Sequence, residues 1–240
     1  QILGARSNQQ DSFSILAGDD ALVLVLADGM GGYTGGELAS RAAIEGFSQA
    51  FERENRSPGK RMKDAVTAAN EQVRTVRKKR GKDDEMGTTL VAAWIGPEGL
   101  RWVSVGDSLL LLIREEKMFL LNDLHQYSAE LERMADEGSI SREEALSHPS
   151  RHSLTSALMG REVPLVDLRE ECFPLVPGDR LLVASDGVGP YLDSLGPAGM
   201  RYLSMLSAEE LVRSVLEGIN RDGAPNQDNA TLICAEIAEA

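Results

Sequence analysis

The chain has 240 residues, of which 42% are hydrophobic, and its formal net charge at pH 7 is −13. This composition excludes a fibrous or wholly disordered chain and predicts one compact domain. The negative charge disfavours binding to nucleic acid or to an anionic membrane, because both need a basic surface. The longest apolar runs, Ala21 to Ala27 and Leu109 to Ile113, are far shorter than the roughly 20 residues that cross a bilayer, so we predict a soluble chain.

In chain order, two strand-like segments come first, two long amphipathic helices follow, and short strands and helices come after them. Short apolar or alternating runs predict strands at Ser12–Leu16, Leu22–Asp28, Thr88–Ile95, Leu100–Gly106, Leu109–Arg114, Lys117–Leu121, Asp179–Asp186 and Ala230–Ile237. Apolar residues at helical spacing predict helices at Glu37–Glu54, Lys60–Arg80, Ala129–Glu137, Arg142–His148 and Ala208–Gly218. Tight turns between consecutive strands indicate antiparallel meanders. We therefore predict an α+β fold in which two packed antiparallel sheets carry helices on their outer faces.

The basic run and the two cysteines have ordinary structural interpretations. Arg74 to Lys82 closes the second long helix, and we interpret it as a solvated helix end rather than an interaction tail. Cys172 and Cys234 lie in apolar surroundings without CxxC spacing, which favours buried free thiols in a reducing cytoplasm. No basic segment with an apolar stretch and a cleavage site follows Gln1, so we expect no secretory signal and a cytoplasmic location.

Several aspartates stand at the end of a strand-like segment or in the turn beside one: Asp28, Asp107, Asp186 and Asp228. Each alone is ordinarily a turn residue or a helix cap. Strand ends present side chains at the rim of a sheet, however, where loops leave room for ligands. Mg²⁺ and Mn²⁺ prefer carboxylate oxygens and keep several waters, so few ligands from separate strands suffice to hold them. Without a cation, converging carboxylates would repel one another and raise one another's pKa.

The histidines do not favour zinc, because His125, His148 and His152 lack the spacing of a zinc site. Two hard cations with a bridging hydroxide would instead supply a nucleophile at neutral pH, which is a usual arrangement for hydrolysis of phosphate esters. Such a site needs an arginine for the phosphoryl oxygens, because the planar guanidinium makes two parallel hydrogen bonds. Arg6, just before Asp11 and the first predicted strand, is the candidate.

A series of short motifs runs along nearly the whole chain: RSNQQDSF (Arg6 to Phe13), LADGMGG (Leu26 to Gly32), MGTTLVAA (Met86 to Ala93), SVGDS (Ser104 to Ser108), LTSALMG (Leu154 to Gly160), GDRLLVASDG (Gly178 to Gly187) and QDNATL (Gln227 to Leu232). Any one of these is weak evidence, but their number and order are specific. With these motifs the sequence resembles the metal-dependent (PPM, type 2C) Ser/Thr protein phosphatases, particularly the bacterial ones.

The resemblance implies a four-layer α-β-β-α sandwich with outer helix pairs, forming a single catalytic domain over residues 1–240. It places a dinuclear site at one end of the paired sheets. By position, Asp28 would bridge both metals and the Gly29 carbonyl would bind one of them. Asp186 and Asp228 would hold the other metal. A third metal, which some members bind, would be held by Asp107 together with Asp186.

Further roles follow from the same resemblance. Arg6 would clamp the phosphate, and Asp11 would lie beside the metals as a direct or water-mediated ligand. The polar helical stretch at residues 127–152 resembles the flap beside the site, which affects substrate choice in the family. The implied cofactors are Mn²⁺ or Mg²⁺, and the implied partners are phosphorylated Ser/Thr proteins, the substrates of a Ser/Thr kinase.

Some positions depart from the family pattern. Gln10 stands where many members have a glutamate, and a neutral amide removes one negative charge from the second metal. Leu109 replaces the usual arginine after GDS, Leu124-His125-Gln126 replaces Asp-His-Ser, and LTSALMG stands in place of LTRALG. Met30 stands where eukaryotic members often have a histidine proposed as general acid, so the sequence identifies no proton donor.

Two other functions are compatible with parts of the sequence. The chain is alternatively a catalytically weak or inactive phosphatase-fold module that acts in partner binding or signalling, because Gln10 and the altered motifs would weaken metal binding. The glycine-rich segment at residues 29–36 also resembles a nucleotide loop. It lacks the Lys-Ser/Thr of a P-loop, and no GxGxxG with a following ribose-binding acid is present. Metal-dependent hydrolysis of phosphoserine and phosphothreonine is therefore the predicted function.

Overall fold

Two antiparallel sheets covered by helices make up the computed structural model, which describes residues 1–18, 21–32, 34–53, 57–80 and 85–238. The strands are β1 (Asp11–Ala17), β2 (Leu22–Gly31), β3 (Met86–Thr88), β4 (Leu90–Gly96), β5 (Gly99–Val105), β6 (Leu109–Arg114), β7 (Lys117–Leu120), β8 (Asp167–Phe173), β9 (Arg180–Ala184) and β10 (Leu232–Glu236). The helices are α1 (Gly35–Arg53), α2 (Pro58–Arg80), α3 (Tyr127–Asp136), α4 (Arg142–Ser147), α5 (Gly189–Ser194), α6 (Pro197–Met205) and α7 (Ala208–Asp222).

The first sheet has the strand order β1-β2-β4-β5-β8, with β3 also paired to β2, and the second has the order β10-β9-β6-β7. Every strand pair in both sheets is antiparallel. Helices α1 and α2 cover the outer face of the first sheet, and α5 to α7 cover that of the second. The predicted α+β fold with two packed sheets and outer helices is confirmed.

Strand β2 shows why the sequence contains a continuous apolar run. Its side chains point alternately to the two faces of the sheet. Val23 and Val25 pack against the helices, while Leu24 and Leu26 pack between the sheets against side chains of β9 and other strands. All four side chains are almost fully buried. A strand buried on both faces therefore carries no polar alternation.

The sequence pattern does not predict β8, α5 or α6. Strand β8 is an edge strand whose segment DLREECF carries charged side chains and is half exposed, so it lacks an apolar alternation. Helices α5 and α6 are short, and each contains a proline and a glycine within its first three residues. Thr89 interrupts the strand predicted at Thr88–Ile95, which divides it into β3 and β4. The last residue of the first predicted helix, Glu54, lies outside the described residues.

The described helices include none that is long and apolar enough to span a membrane. Both cysteines are free, as the sequence predicts, but each is only partly buried. Burial raises the pKa of the Cys234 thiol to about 12, so this thiol is protonated and unreactive at neutral pH.

Strand ends from both sheets meet at one end of the molecule. Antiparallel pairing aligns Asp11 at the start of β1 with Asp28 near the end of β2. In the second sheet, Ala184 at the end of β9 pairs with Leu232 in β10 and Leu109 in β6. The loops at these ends carry the remaining candidate aspartates, which are Asp107, Asp186 and Asp228.

Candidate metal centre

A cavity of about 610 Å³ opens between these strand ends. Almost all of the site residues predicted from the sequence line it: Arg6, Gln10, Asp28, Gly29, Asp107, Asp186 and Asp228. Asp11 lies behind this lining, opposite Asp28 on the neighbouring strand. The structure therefore brings together side chains that are more than 200 residues apart in the chain, such as Arg6 and Asp228.

Asp11 is buried, and only one of its two carboxylate oxygens accepts hydrogen bonds. Its Oδ2 accepts hydrogen bonds from Ser185 Oγ at 2.8 Å and from Thr231 Oγ1 at 2.6 Å. Its Oδ1 is buried and has no hydrogen-bond partner among the described residues. Burial, together with repulsion from Asp228, raises the pKa of Asp11 despite these two bonds. A buried oxygen without a donor is suited to a cation or to a water that a cation holds.

Asp28 is held by its backbone, which leaves its carboxylate without a neutralising side chain. Its N–H donates to Thr89 Oγ1 at 3.0 Å, and its carbonyl accepts from Thr88 Oγ1 at 2.8 Å and from the Thr89 N–H at 2.9 Å. Burial raises the pKa of Asp28 well above its ordinary value, and repulsion from Asp11 and Asp186 adds to this effect. The carboxylate is thus placed where only a positive charge would stabilise its ionised form.

Asp186 and Asp107, like Asp28, have raised pKa values. Burial, with repulsion from Asp107 and Asp228, raises the pKa of Asp186 to about 6. Burial also raises the pKa of Asp107, although Gln126 Nε2 donates a hydrogen bond to its Oδ2 at 2.8 Å. Several acidic groups in this cavity therefore hold protons more tightly than free aspartate does.

Gly29 and Gln10 are fixed by the close approach of β2 to the start of α1. A Cβ at Gly29 would lie 2.1 Å from the Gly36 carbonyl oxygen, so only glycine fits there. The Gly29 N–H donates to the Gln10 carbonyl at 3.1 Å. The Gln10 side chain donates from Nε2 to the Gly31 carbonyl at 3.2 Å, which leaves Oε1 as the amide atom able to bind a cation.

Arg6 lies in the cavity with its guanidinium against an aspartate. Its Nη2 donates to Asp228 Oδ2 at 2.6 Å, and this hydrogen bond is the largest cause of the raised pKa of Arg6. The side chains of Arg6 and Asp228 are 58% and 39% exposed, so the pair is open to solvent and weakly stabilising. Both groups are therefore available to exchange this contact for a phosphate or a cation.

Sequence reasoning missed several residues that hold the site. Thr88 and Thr89 fix Asp28, Gln126 contacts Asp107, and the Asn229 side chain accepts a hydrogen bond from the Gln10 N–H at 2.8 Å. His152 also lines the cavity. Thr88, Thr89 and Asn229 belong to motifs quoted above, but nothing in the sequence indicates which side chains they contact.

The donor set fits hard cations better than zinc. The cavity offers carboxylates, an amide oxygen and backbone carbonyls, which are the ligands that Mg²⁺ and Mn²⁺ prefer. Within the described part of the chain, no three acidic, histidine or cysteine side chains form a ready cation cage. The raised pKa values of Asp28 and Asp186 and the unpartnered Asp11 oxygen indicate a deficit of positive charge, which cations would remove. Because the described side chains do not form a closed cage, such cations would keep several waters.

Comparison with known proteins agrees with this geometry. The family of protein phosphatase 2C matches residues 3–219. The chain is 33% identical over 240 residues to the serine/threonine protein phosphatase PstP of Mycobacterium tuberculosis, covering 98% of this chain and 43% of that protein. It is 29% identical over 189 residues to the serine/threonine phosphatase stp of Listeria innocua, covering 76% of this chain and 73% of that protein. The chain thus spans less than half the length of PstP.

Solved structures give the same result. The crystal structure of the Mycobacterium tuberculosis phosphatase PstP/Ppp superimposes with a TM-score of 0.76 at 31% identity, covering 98% of this chain and 94% of that one. The catalytic domain of PstP in complex with two manganese ions superimposes with a TM-score of 0.73 at 30% identity, again covering 98% and 94%. Fold, motif order and sequence identity agree: the chain belongs to the protein phosphatase 2C family of metal-dependent (PPM) Ser/Thr phosphatases.

Proposed function

We propose that this chain is a metal-dependent protein phosphatase domain that hydrolyses phosphoserine and phosphothreonine at a dinuclear Mn²⁺ or Mg²⁺ site. The observation that carries the proposal is the cavity in which Asp28, Asp186 and Asp228 converge with Arg6. Burial and mutual repulsion raise the pKa of Asp28 and Asp186, so the cavity would favour divalent cations. When bound, the cations would supply a water nucleophile at neutral pH and neutralise charge on the phosphate.

The roles of the ligands follow from their positions and from the family pattern. Asp28 would contact both cations and the Gly29 carbonyl one of them, while Asp186 and Asp228 would hold the other. Asp107 would hold a third cation together with Asp186. The similar PstP catalytic domain with two manganese ions supports Mn²⁺ for this chain.

Asp11 and Gln10 would act at the second cation from the end of the first sheet. The unpartnered Oδ1 of Asp11 would accept a hydrogen bond from a water on the cation or bind the cation directly. Gln10 offers an amide oxygen without charge, so the second cation would be held less tightly than with a glutamate. Weaker binding of the second cation by Gln10 would favour the alternative, in which the chain is a weak or inactive phosphatase-fold module that binds a partner.

Turnover in a metal titration separates the two functions. The purified chain, stripped with EDTA, is mixed with a phosphothreonine peptide and increasing Mn²⁺, and released phosphate is measured. We expect turnover that rises with Mn²⁺ and disappears in excess EDTA. Calorimetry on the same samples reports Mn²⁺ binding by itself. Bound Mn²⁺ without turnover at millimolar concentration would contradict the enzymatic function and favour the inactive module.

Replacing Arg6 tests its role as the phosphate clamp. Arg6→Ala is expected to lower kcat/KM for a phosphothreonine peptide by about 10²-fold, because it removes a donor to the phosphoryl oxygens. Mn²⁺ affinity in calorimetry should stay the same or increase, since Asp228 loses the guanidinium that lies 2.6 Å away. Arg6→Lys keeps the charge without the planar fork and should recover only part of the rate. An equal loss of Mn²⁺ binding would instead assign Arg6 a structural role.

A further inference from the structure

The C-terminal end of α2 is strongly basic although the molecule as a whole is acidic. The last two turns of the helix carry Arg74, Arg77, Lys78, Lys79 and Arg80, in a chain of net charge −13. Cations near the last carbonyls of a helix are favoured electrostatically, which by itself explains a solvated helix end. The sequence does not show where this helix end lies relative to the cavity.

Two hydrogen bonds attach this helix end to segments next to the lining of the cavity. Arg80 Nη1 donates to Thr34 Oγ1 at 2.9 Å, and Thr34 follows closely after Gly31, which lines the cavity. Arg77 Nη1 donates to the Met159 carbonyl at 3.2 Å. The side chain of Met159 lies against Gly87 together with that of Met30, and Met30 lines the cavity. The basic helix end is therefore joined through Met159 to a residue that lines the cavity, Met30.

Arg161 lies beside the middle of α2 and not at its basic end. Asn70 Nδ2 donates to the Arg161 carbonyl at 2.7 Å, and Arg161 lines a groove together with Lys63 and Thr67. We therefore call Arg74 and Arg77 to Arg80 the α2 basic surface.

The lysines of this surface are available to a ligand. Lys78 and Lys79 are exposed, and neither makes an ion pair within the part of the chain that the structure describes. Arg74 pairs with Glu71 at 2.8 Å, but both side chains are about half exposed, so this contact is easily exchanged. The exposed lysines at this helix end are thus free to bind an anionic group.

We propose that the α2 basic surface binds acidic residues beside the phosphorylated Ser or Thr of the substrate protein. The inference rests on the proposed phosphatase function and deepens it by naming a substrate class. A short acidic segment would contact this surface while its phosphate enters the cavity. A long polyanion such as nucleic acid would extend beyond it onto the acidic remainder of the molecule and be repelled.

Charge reversal at the two lysines tests the docking surface. The test compares two double variants, Lys78→Glu/Lys79→Glu and the control Lys60→Glu/Lys63→Glu. The control changes the net charge by the same amount, but its residues lie roughly 25 Å away along α2. Lys60 and Lys63 are also exposed. Each protein is assayed with two phosphothreonine peptides that differ only in having Glu or Gln at the flanking positions.

We expect the unmodified chain to prefer the Glu peptide, and the Lys78/Lys79 variant to lose roughly tenfold in kcat/KM for it at low salt. The Gln peptide and the Lys60/Lys63 variant should show no comparable change. In about 1 M salt, where the Debye length is near 3 Å, the difference between the peptides should vanish.

Equal kcat/KM of the unmodified chain for both peptides would overturn the docking proposal, and so would equal losses in kcat/KM for both peptides in the Lys78/Lys79 variant. An effect of the variant only on binding to vesicles that contain anionic lipid would also overturn it. Anisotropy of the labelled Glu phosphopeptide, measured in EDTA at low salt, tests docking without turnover. Absence of hydrolysis for both peptides and for a small aryl phosphate would refute the phosphatase function, while the anisotropy comparison would still decide the docking surface.

Discussion

Asp28→Asn is expected to abolish metal-dependent hydrolysis of a phosphothreonine peptide, with a loss in kcat/KM of about 10³-fold or more. The substitution removes the charge of the one side chain proposed to contact both cations, which together contribute several kcal/mol to transition-state stabilisation. The backbone bonds from Thr88 and Thr89 do not depend on the carboxylate, so the local fold should persist. Released phosphate in a Mn²⁺ titration measures the loss, and retention of more than a tenth of the rate would contradict the bridging role.

The same variant should be more stable than the unmodified chain when metal is absent. Burial and repulsion from Asp11 and Asp186 raise the pKa of Asp28, so its ionised form destabilises the metal-free fold. Urea unfolding in EDTA should show a higher midpoint for Asp28→Asn. In Mn²⁺ the order should reverse, because a cation at 100 times its Kd stabilises the unmodified fold by about 2.7 kcal/mol per site.

The pH dependence of the metal-free chain follows from the same groups. A carboxyl whose pKa is raised on folding binds its proton more tightly in the folded state, so folding is increasingly favoured as the pH falls from the folded-state pKa to the unfolded-state pKa. Burial raises the pKa of Asp186 to about 6 from 3.8, so we expect stability in EDTA to increase as the pH falls from 7 toward 4. The dependence should be weaker in saturating Mn²⁺, where the cations compete with these protons.

Asp179→Asn is expected to lower the free energy of unfolding by about 2–4 kcal/mol without changing the active site. Asp179 is 1% exposed and accepts hydrogen bonds from Arg114 Nε at 2.8 Å, from Arg114 Nη2 at 2.7 Å and from the Val176 N–H at 2.8 Å. An amide has one acceptor oxygen for these three donors and carries no charge. Urea unfolding measures the loss, while kcat/KM should not change because Asp179 lies at the opposite end of β9 from Asp186.

A surface pair provides the control for Asp179. Glu98 pairs with Arg101 at 2.6 Å but is 70% exposed, so Glu98→Gln should cost less than about 1 kcal/mol. Burial alone would raise the pKa of Asp179, but the bonds from Arg114 lower it overall. The stabilisation of the fold by the Arg114–Asp179 pair is therefore complete near neutral pH. It is lost as the pH falls below about 4, through the lowered pKa of Asp179. Equal losses for the two variants would contradict the structural role of the Arg114–Asp179 pair.

The sequence predicts the candidate metal ligands among the aspartates better than it predicts the residues that hold them in place. Asp28 and Asp186 end apolar runs, and strand ends are recognisable from local composition. Their convergence depends on which strands pair, and local patterns do not encode pairings between distant segments. The family motifs supply that information indirectly, because their order along the chain is specific to one fold.

Contacts that join distant segments are the part that sequence reasoning misses. Asp11 contacts Thr231, and Arg114 contacts Asp179 across 65 residues, although each residue alone is an ordinary polar side chain. Strand β8 is missed for another reason: as an edge strand it is only half buried, so selection for apolar residues is weak. The basic end of α2 has the composition of a solvated helix end, and only its contacts with Thr34 and Met159 distinguish it.

Residues 1–6 contact residues 228–231 beside the cavity, and this contact has a consequence for synthesis of the protein. Ile2 pairs with Ala230, the Gln1 side chain donates to Thr231, and Arg6 contacts Asp228. Ile2 and Arg6 therefore lack these partners until residues 228–231 have left the ribosome, although Asp11 can pair with Asp28 much earlier. A chain that ends before Asp228 would lack one of the proposed ligands, so we expect the proposed hydrolysis to begin only after residues 228–231 are in place.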